Sequence, residues 1–128
     1  MSALWDVPGW EVDAMRCVGE FVAEDVLVDV DGPRLFVGRT PAGDDFLAYH
    51  AAEDDCRLGW VVVPTDGALV ERLRTGEVAL LDALRQPWAW VVVHGFDAAV
   101  KQVRRVRFDD LPAAVLPAPG VTLVARPA

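Results

Sequence analysis

Asp31-Gly32-Pro33-Arg34-Leu35-Phe36-Val37-Gly38-Arg39 runs into Thr40-Pro41-Ala42-Gly43-Asp44 and then Asp45-Phe46-Leu47-Ala48-Tyr49-His50-Ala51. Two segments rich in apolar and aromatic residues, separated by a short piece of Pro, Gly and Asp, read as a β-hairpin. Asp31-Gly32-Pro33 is a turn of its own, because Gly admits positive φ and Pro has no N–H to give to a ladder. On the far side, Glu53-Asp54-Asp55 is too charged to be buried and makes the next loop. Leu58 to Val63 follows as a third strand of the same meander. Its Trp60-Val61-Val62-Val63 run is apolar at every position, as a strand covered on both faces requires.

Beyond this meander the period changes. Asp66 suits a helix N-cap, and Leu69, Val70 and Leu73 form one apolar stripe opposite Glu71, Arg72 and Arg74. Gly76 closes that helix as a left-handed cap. Val78, Leu80, Leu81 and Leu84 mark a second short helix, which Pro87 stops. Helices of two or three turns are not stable alone, so both are expected against the sheet. Trp88 to His94 is a second strand apolar on both faces, with Trp88, Trp90, Val92 and His94 on one side, and Val100 to Phe108 is a further strand of mixed charge.

Before the meander, Arg16 to Val30 reads as strand with a bend at Glu24-Asp25. Residues 1–14 have neither period and read as an irregular arm whose Trp5 and Trp10 dock onto the body. Residues 112–128 form a tail rich in Pro and Ala, expected to wrap the surface and to end in a short strand at Val121–Val124. The sum is an α+β fold: an antiparallel meander sheet of about six strands with a pair of short helices packed on one side, in a single domain over 1–128.

Composition sets the limits on function. A hydrophobic share of 53% with mean hydropathy +0.25 excludes disorder. The longest apolar runs, Trp60–Pro64 and Pro87–Val93, fall far short of the roughly 20 residues of a membrane-spanning helix. The first residues show no basic patch leading into an apolar stretch, so the expected location is the cytoplasm. The absence of Asn and Ile, with one Lys and one Ser, reflects a GC-rich bacterial genome rather than chemistry. Charge is divided unevenly: residues 1–56 carry a net −10 and residues 57–128 a net +2, giving −8 overall. Such a chain repels nucleic acid at long range and favours a basic protein surface.

The residues that carry chemistry form no familiar set. His50, Glu53, Asp54, Asp55 and Cys56 match no zinc or calcium spacing, so no metal and no cofactor is expected. The only serine is Ser2. Cys17 and Cys56 allow one disulfide at most and are expected as free thiols packed like small apolar groups. Either thiol could pair with His50 or His94, but nothing local marks it as activated. No glycine-rich loop feeds a helix to cradle phosphate. The basic run Lys101-Gln102-Val103-Arg104-Arg105-Val106-Arg107 has the look of a charged edge strand that discourages aggregation.

From Asp31 to about Trp90 the chain resembles a family of uncharacterised bacterial domains. The likeness rests on Asp31-Gly32-Pro33-Arg34-Leu35-Phe36, Phe46-Leu47-Ala48, Trp60-Val61-Val62-Val63-Pro64, Leu69 to Gly76 and the Leu80–Pro87 helix. The resemblance implies a three-stranded meander followed by two short helices, and carries no active residue. It also points to accessory or partner-binding components of bacterial conflict and defence loci.

The leading functional expectation is therefore a non-catalytic protein-binding accessory module, immunity-like, presenting an acidic face to a larger partner. Trp5, Trp10, Glu53, Asp54 and Asp55 are its candidate contact residues, since aromatics dominate interface hot spots. The alternative is a small-molecule or peptide sensor with a pocket between the sheet and the helix pair, lined by Trp60, Trp90 and His94. No membrane and no nucleic-acid partner is expected, and a homodimer is left open.

Overall fold

Positive φ at Asp31 (54°) and Gly32 (109°) makes the first turn of the meander, a conformation that Asp tolerates and Gly favours. The computed structural model describes residues 3–97 and 99–123, with Ala3 and Lys101 by their backbone alone. The turn joins β2 (Asp25–Asp29) to β3 (Pro33–Arg39), and the Thr40–Asp44 loop leads into β4 (Asp45–Glu53). In the loop after β4, Asp54 Oδ1 accepts from the backbone N–H of Cys56 and of Arg57, each at 3.0 Å. Its Oδ2 accepts from Arg57 Nε at 2.7 Å. Those bonds, the Arg57 side chain first, hold the Asp54 carboxyl at a pKa of about 2, and they start β5 (Arg57–Pro64).

Asp66 caps α2 (Gly67–Arg74) by accepting from Leu69 N at 2.8 Å. Gly76, at φ 79°, ends it. Gly76 N donates to Leu73 O and Glu77 N to Arg72 O, at 3.2 and 3.0 Å, so the last carbonyls are satisfied in a Schellman motif. The second helix, α3, is a single turn and a half (Leu80–Leu84) and delivers the chain to β6 (Trp88–Gly95) and β7 (Val100–Arg107).

Among the described residues the sheet has seven antiparallel strands, not six, in the order β1-β7-β6-β5-β4-β3-β2. The extra strand is β1 (Gly9–Glu11), which pairs with Arg104–Val106 of β7. The described part of the expected irregular arm, from Ala3 onward, holds a 3-10 turn at Ala3–Asp6 and then β1. β7 is correspondingly not an edge. Arg16–Ala23 is not strand either. Asp13 caps a one-turn helix, α1 (Ala14–Cys17), by accepting from Met15 N at 3.0 Å, and the strand proper begins at Asp25.

Because β1 and β2 lie at opposite edges, residues 12–24 must cross the whole sheet. Six interstrand steps of about 4.8 Å make roughly 29 Å. Thirteen residues reach about 43 Å when fully extended, so this strap has little slack. It crosses one face, where Val18 is 1% exposed and packs with Phe36, Phe46, Trp60, Val62, Val92 and Val103.

The other face carries the helices. Leu35, Val37, Leu47, Val61, Val63, Ala89, Val91 and Val106 meet Val70, Leu73, Leu80, Leu81 and Leu84 there. Of the expected tail, residues 118–122 are exposed, while Val115, like Leu111 just before the tail, is buried in the same core, in and beside 3-10 turns at Phe108–Asp110 and Ala113–Val115. Val121–Leu123 is not strand, although Val121 O accepts from Leu80 N at 2.8 Å. Val124, the end of that expected strand, lies outside the described residues. Among the described residues, no helix is long and apolar enough to cross a membrane.

Candidate functional site

The strap covers only the middle of its face and leaves an opening on either side. The larger is a groove of about 580 Å³ between the β2–β3 turn and the β6–β7 turn. Phe36, Leu58, Trp60 and His94 form its floor, because alternation along β3, β5 and β6 brings them to one face. Phe21 of the strap, Arg34 and Glu53 stand along its walls, and Phe96, 62% exposed, stands at the rim.

Phe21 wedges into the floor. Its ring centroid lies 5.1 Å from that of Phe36, 5.7 Å from Trp60, 6.0 Å from His94 and 5.8 Å from Phe46, on which it stacks. It does so from a left-handed backbone, φ 55°, which is rare for a bulky residue and strained.

Hydrogen bonds fix the two heterocycles of the floor. Trp60 Nε1 donates to His94 Nε2 at 2.8 Å. Indole N–H is a donor only, so His94 Nε2 is bare and its proton sits on Nδ1. From there it reaches Gly95 O, at 2.8 Å. Both rings spend their polar edges on partners inside the protein and leave an apolar floor.

The polar groups of the groove converge on Arg34. Its Nε donates to Val30 O at 2.8 Å and its Nη1 to His50 Nδ1 at 3.0 Å. His50 Nδ1 accepts, so the His50 proton is on Nε2, which is buried and 3.4 Å from Glu53 Oε1, off the line of a hydrogen bond. Glu53 Oε1 also lies 3.5 Å from Arg34 Nη1. Burial above all, then the Arg34 cation, pushes the His50 pKa down; Glu53 opposes the shift. No protein partner is seen for Arg34 Nη2 among the described residues. The guanidinium is held by two of its nitrogens, with the third unused.

The sites expected from sequence are distributed differently. Trp60 and His94 do share a cavity, but it lies on the face away from the helix pair, not between sheet and helices. Trp90 is not in it: with Cys17, Trp88 and Arg105 it lines a separate opening of about 370 Å³ on the other side of the strap. Trp88 and Trp90 are half-buried on this face rather than enclosed in the core. Trp5 packs against Gly59, where an added Cβ would stand 2.7 Å from the Trp5 ring. The Arg57 guanidinium covers Trp5 at 4.0 Å. Trp10 is 57% exposed, edge-on to Trp88 at 5.5 Å. Glu53 belongs to the groove, Asp54 is used in its own turn, and Asp55 is exposed.

Both thiols are free, but Cys56 is exposed, not packed. Its Sγ lies 3.5 Å from Asp54 Oδ1, and that contact raises its pKa. Burial raises that of Cys17. A nucleophilic thiol requires the opposite shift. The groups that sequence reasoning missed are Arg34, Phe21 and Phe96. Phe21 and Phe96 come from the strap and a turn, which carry no period, whereas Arg34 stands at the start of β3, two positions before Phe36, where alternation puts it on the face of the groove. Comparison with known proteins yields no match to a family model, a curated protein or a solved structure.

Proposed function

We propose that this chain is a small-molecule-binding domain whose site is the groove on the strap face. The observation that carries the reading is the conjunction of a cavity of about 580 Å³, within the usual size of ligand sites, with a pre-positioned Arg34 beside an apolar floor. Binding of a ligand to the native state alone raises the melting temperature. A thermal-shift screen of metabolites at millimolar concentration tests it. A shift for one chemical class, lost when Leu58→Trp fills the groove, is the expected result. No shift with any class, or a shift that survives Leu58→Trp, defeats the reading.

A second reading keeps the protein-binding module and is favoured by Trp10. This exposed ring projects from β1, an edge strand, with Trp88 beside it and Arg105 4.6 Å from the Trp88 centroid. An exposed aromatic next to a cation is a good interface anchor. Recovery of a stoichiometric partner by the wild type and its loss with Trp10→Ala is expected on this reading. Equal recovery by both would remove Trp10 as the anchor.

A further inference from the structure

The groove offers one anion-binding and one cation-binding group side by side. Arg34 presents Nη2 with no protein partner, while Glu53 Oε1 sits 3.5 Å from Nη1 of the same guanidinium. A ligand with a carboxylate alone would gain the Arg34 contact but meet Glu53 and, at the rim, Asp31, in a chain of net charge −8. One with an ammonium alone would satisfy Glu53 and face the Arg34 cation. A molecule carrying both charges a few ångströms apart meets each with its complement.

The remainder of the ligand is specified by the floor. Trp60 Nε1 and His94 Nδ1 are already donating, at 2.8 Å each, and His94 Nε2 is already accepting. Nothing on those rings is left to bind a polar group. Leu58, Phe36 and the exposed Phe96 extend the same apolar surface. Burial of apolar ligand area against it is favourable.

We infer that the groove binds a free α-amino acid with a large apolar or aromatic side chain, its carboxylate on Arg34, its ammonium on Glu53 and its side chain on the Phe36–Leu58–Trp60 floor. This rests on the groove being the ligand site. A peptide meets the requirement poorly, because amide formation removes one of the two adjacent charges at each end.

Isothermal titration of the full chain tests the inference with L-phenylalanine, 3-phenylpropionate, 2-phenylethylamine and glycine. L-Phenylalanine is expected to bind at least tenfold tighter than each of the other three, which lack the ammonium, the carboxylate and the side chain respectively. Arg34→Gln is expected to lower L-phenylalanine to the level of 2-phenylethylamine, and Glu53→Gln to lower it to that of 3-phenylpropionate. Circular dichroism confirms that each variant is folded. If a one-charge analogue binds as tightly as L-phenylalanine, the amino-acid assignment is wrong while the groove still stands as a ligand site. If none of the four binds at 10 mM, the assignment also fails, and the metabolite screen with Leu58→Trp decides the groove separately.

Discussion

Phe21 holds an unfavourable backbone, φ 55°, in exchange for contacts with Phe36, Phe46, Trp60 and His94. Strain of this kind costs of order 1–3 kcal/mol, while truncating a buried Phe costs about 3–5 kcal/mol. The ring is half-buried, so the balance favours it by a smaller margin. Phe21→Ala is expected to destabilise the fold by roughly 2 kcal/mol in urea titration, and Phe21→Leu, which retains apolar bulk, by less. His50 sets a pH dependence. Its folded pKa lies below 6.5, so the unfolded chain binds more protons there. Its contribution to stability is complete above about pH 6.5 and is lost as the pH falls toward the folded pKa. Urea midpoints measured from pH 8 to pH 5 should fall for the wild type and fall less for His50→Gln.

Two kinds of element build the molecule, and they differ in how plainly the residues announce them. Asp66→Ala should cost about 1 kcal/mol through the lost cap of α2, measurable by chemical denaturation. That prediction needs only the sequence, since Asp66, the 69-70-73 stripe and Gly76 mark both ends and the buried side of the helix. β5 and β6 were equally legible, because unbroken apolar runs of strand length require two covers. β1 was not: it is three residues long, all exposed, and exists through pairing with a strand almost a hundred residues away. The strap misled for a related reason. Val18 and Phe21 look like strand positions, but a capped turn and two left-handed residues, Gly19 and Phe21, lay them on one side. The site divides along the same line. Trp60 and His94, and Arg34 with Phe36, could be placed on one face by alternation, whereas Phe21 and Phe96 are brought to it by the strap and a turn.

For the whole molecule, residues 4–11 act as a clasp. Arg104 donates to the carbonyls of Trp5, at 3.3 Å, and of Val7, while Leu4 and Trp5 fill the space above Gly59. A Cβ on Gly59 would stand 2.6 Å from Leu4 Cδ2. Gly59→Val should therefore release the clasp, lowering the melting temperature and opening the β7 edge. Hydrogen exchange should show lost protection at β1 and β7, with little change at α2. With the clasp closed, one face of the sheet lies under the helices and tail and the other under the strap. The groove beside the strap and the Trp10 edge are the places proposed above for a ligand and for a partner.

An amide NMR titration of the full chain with L-phenylalanine tests the groove most directly, because it reads position as well as affinity. Shifts confined to residues around Phe21, Arg34, Glu53, Leu58, His94 and Phe96 are the predicted result. Shifts centred on Trp10, Trp88 and Arg105, or none at saturating ligand, would contradict it.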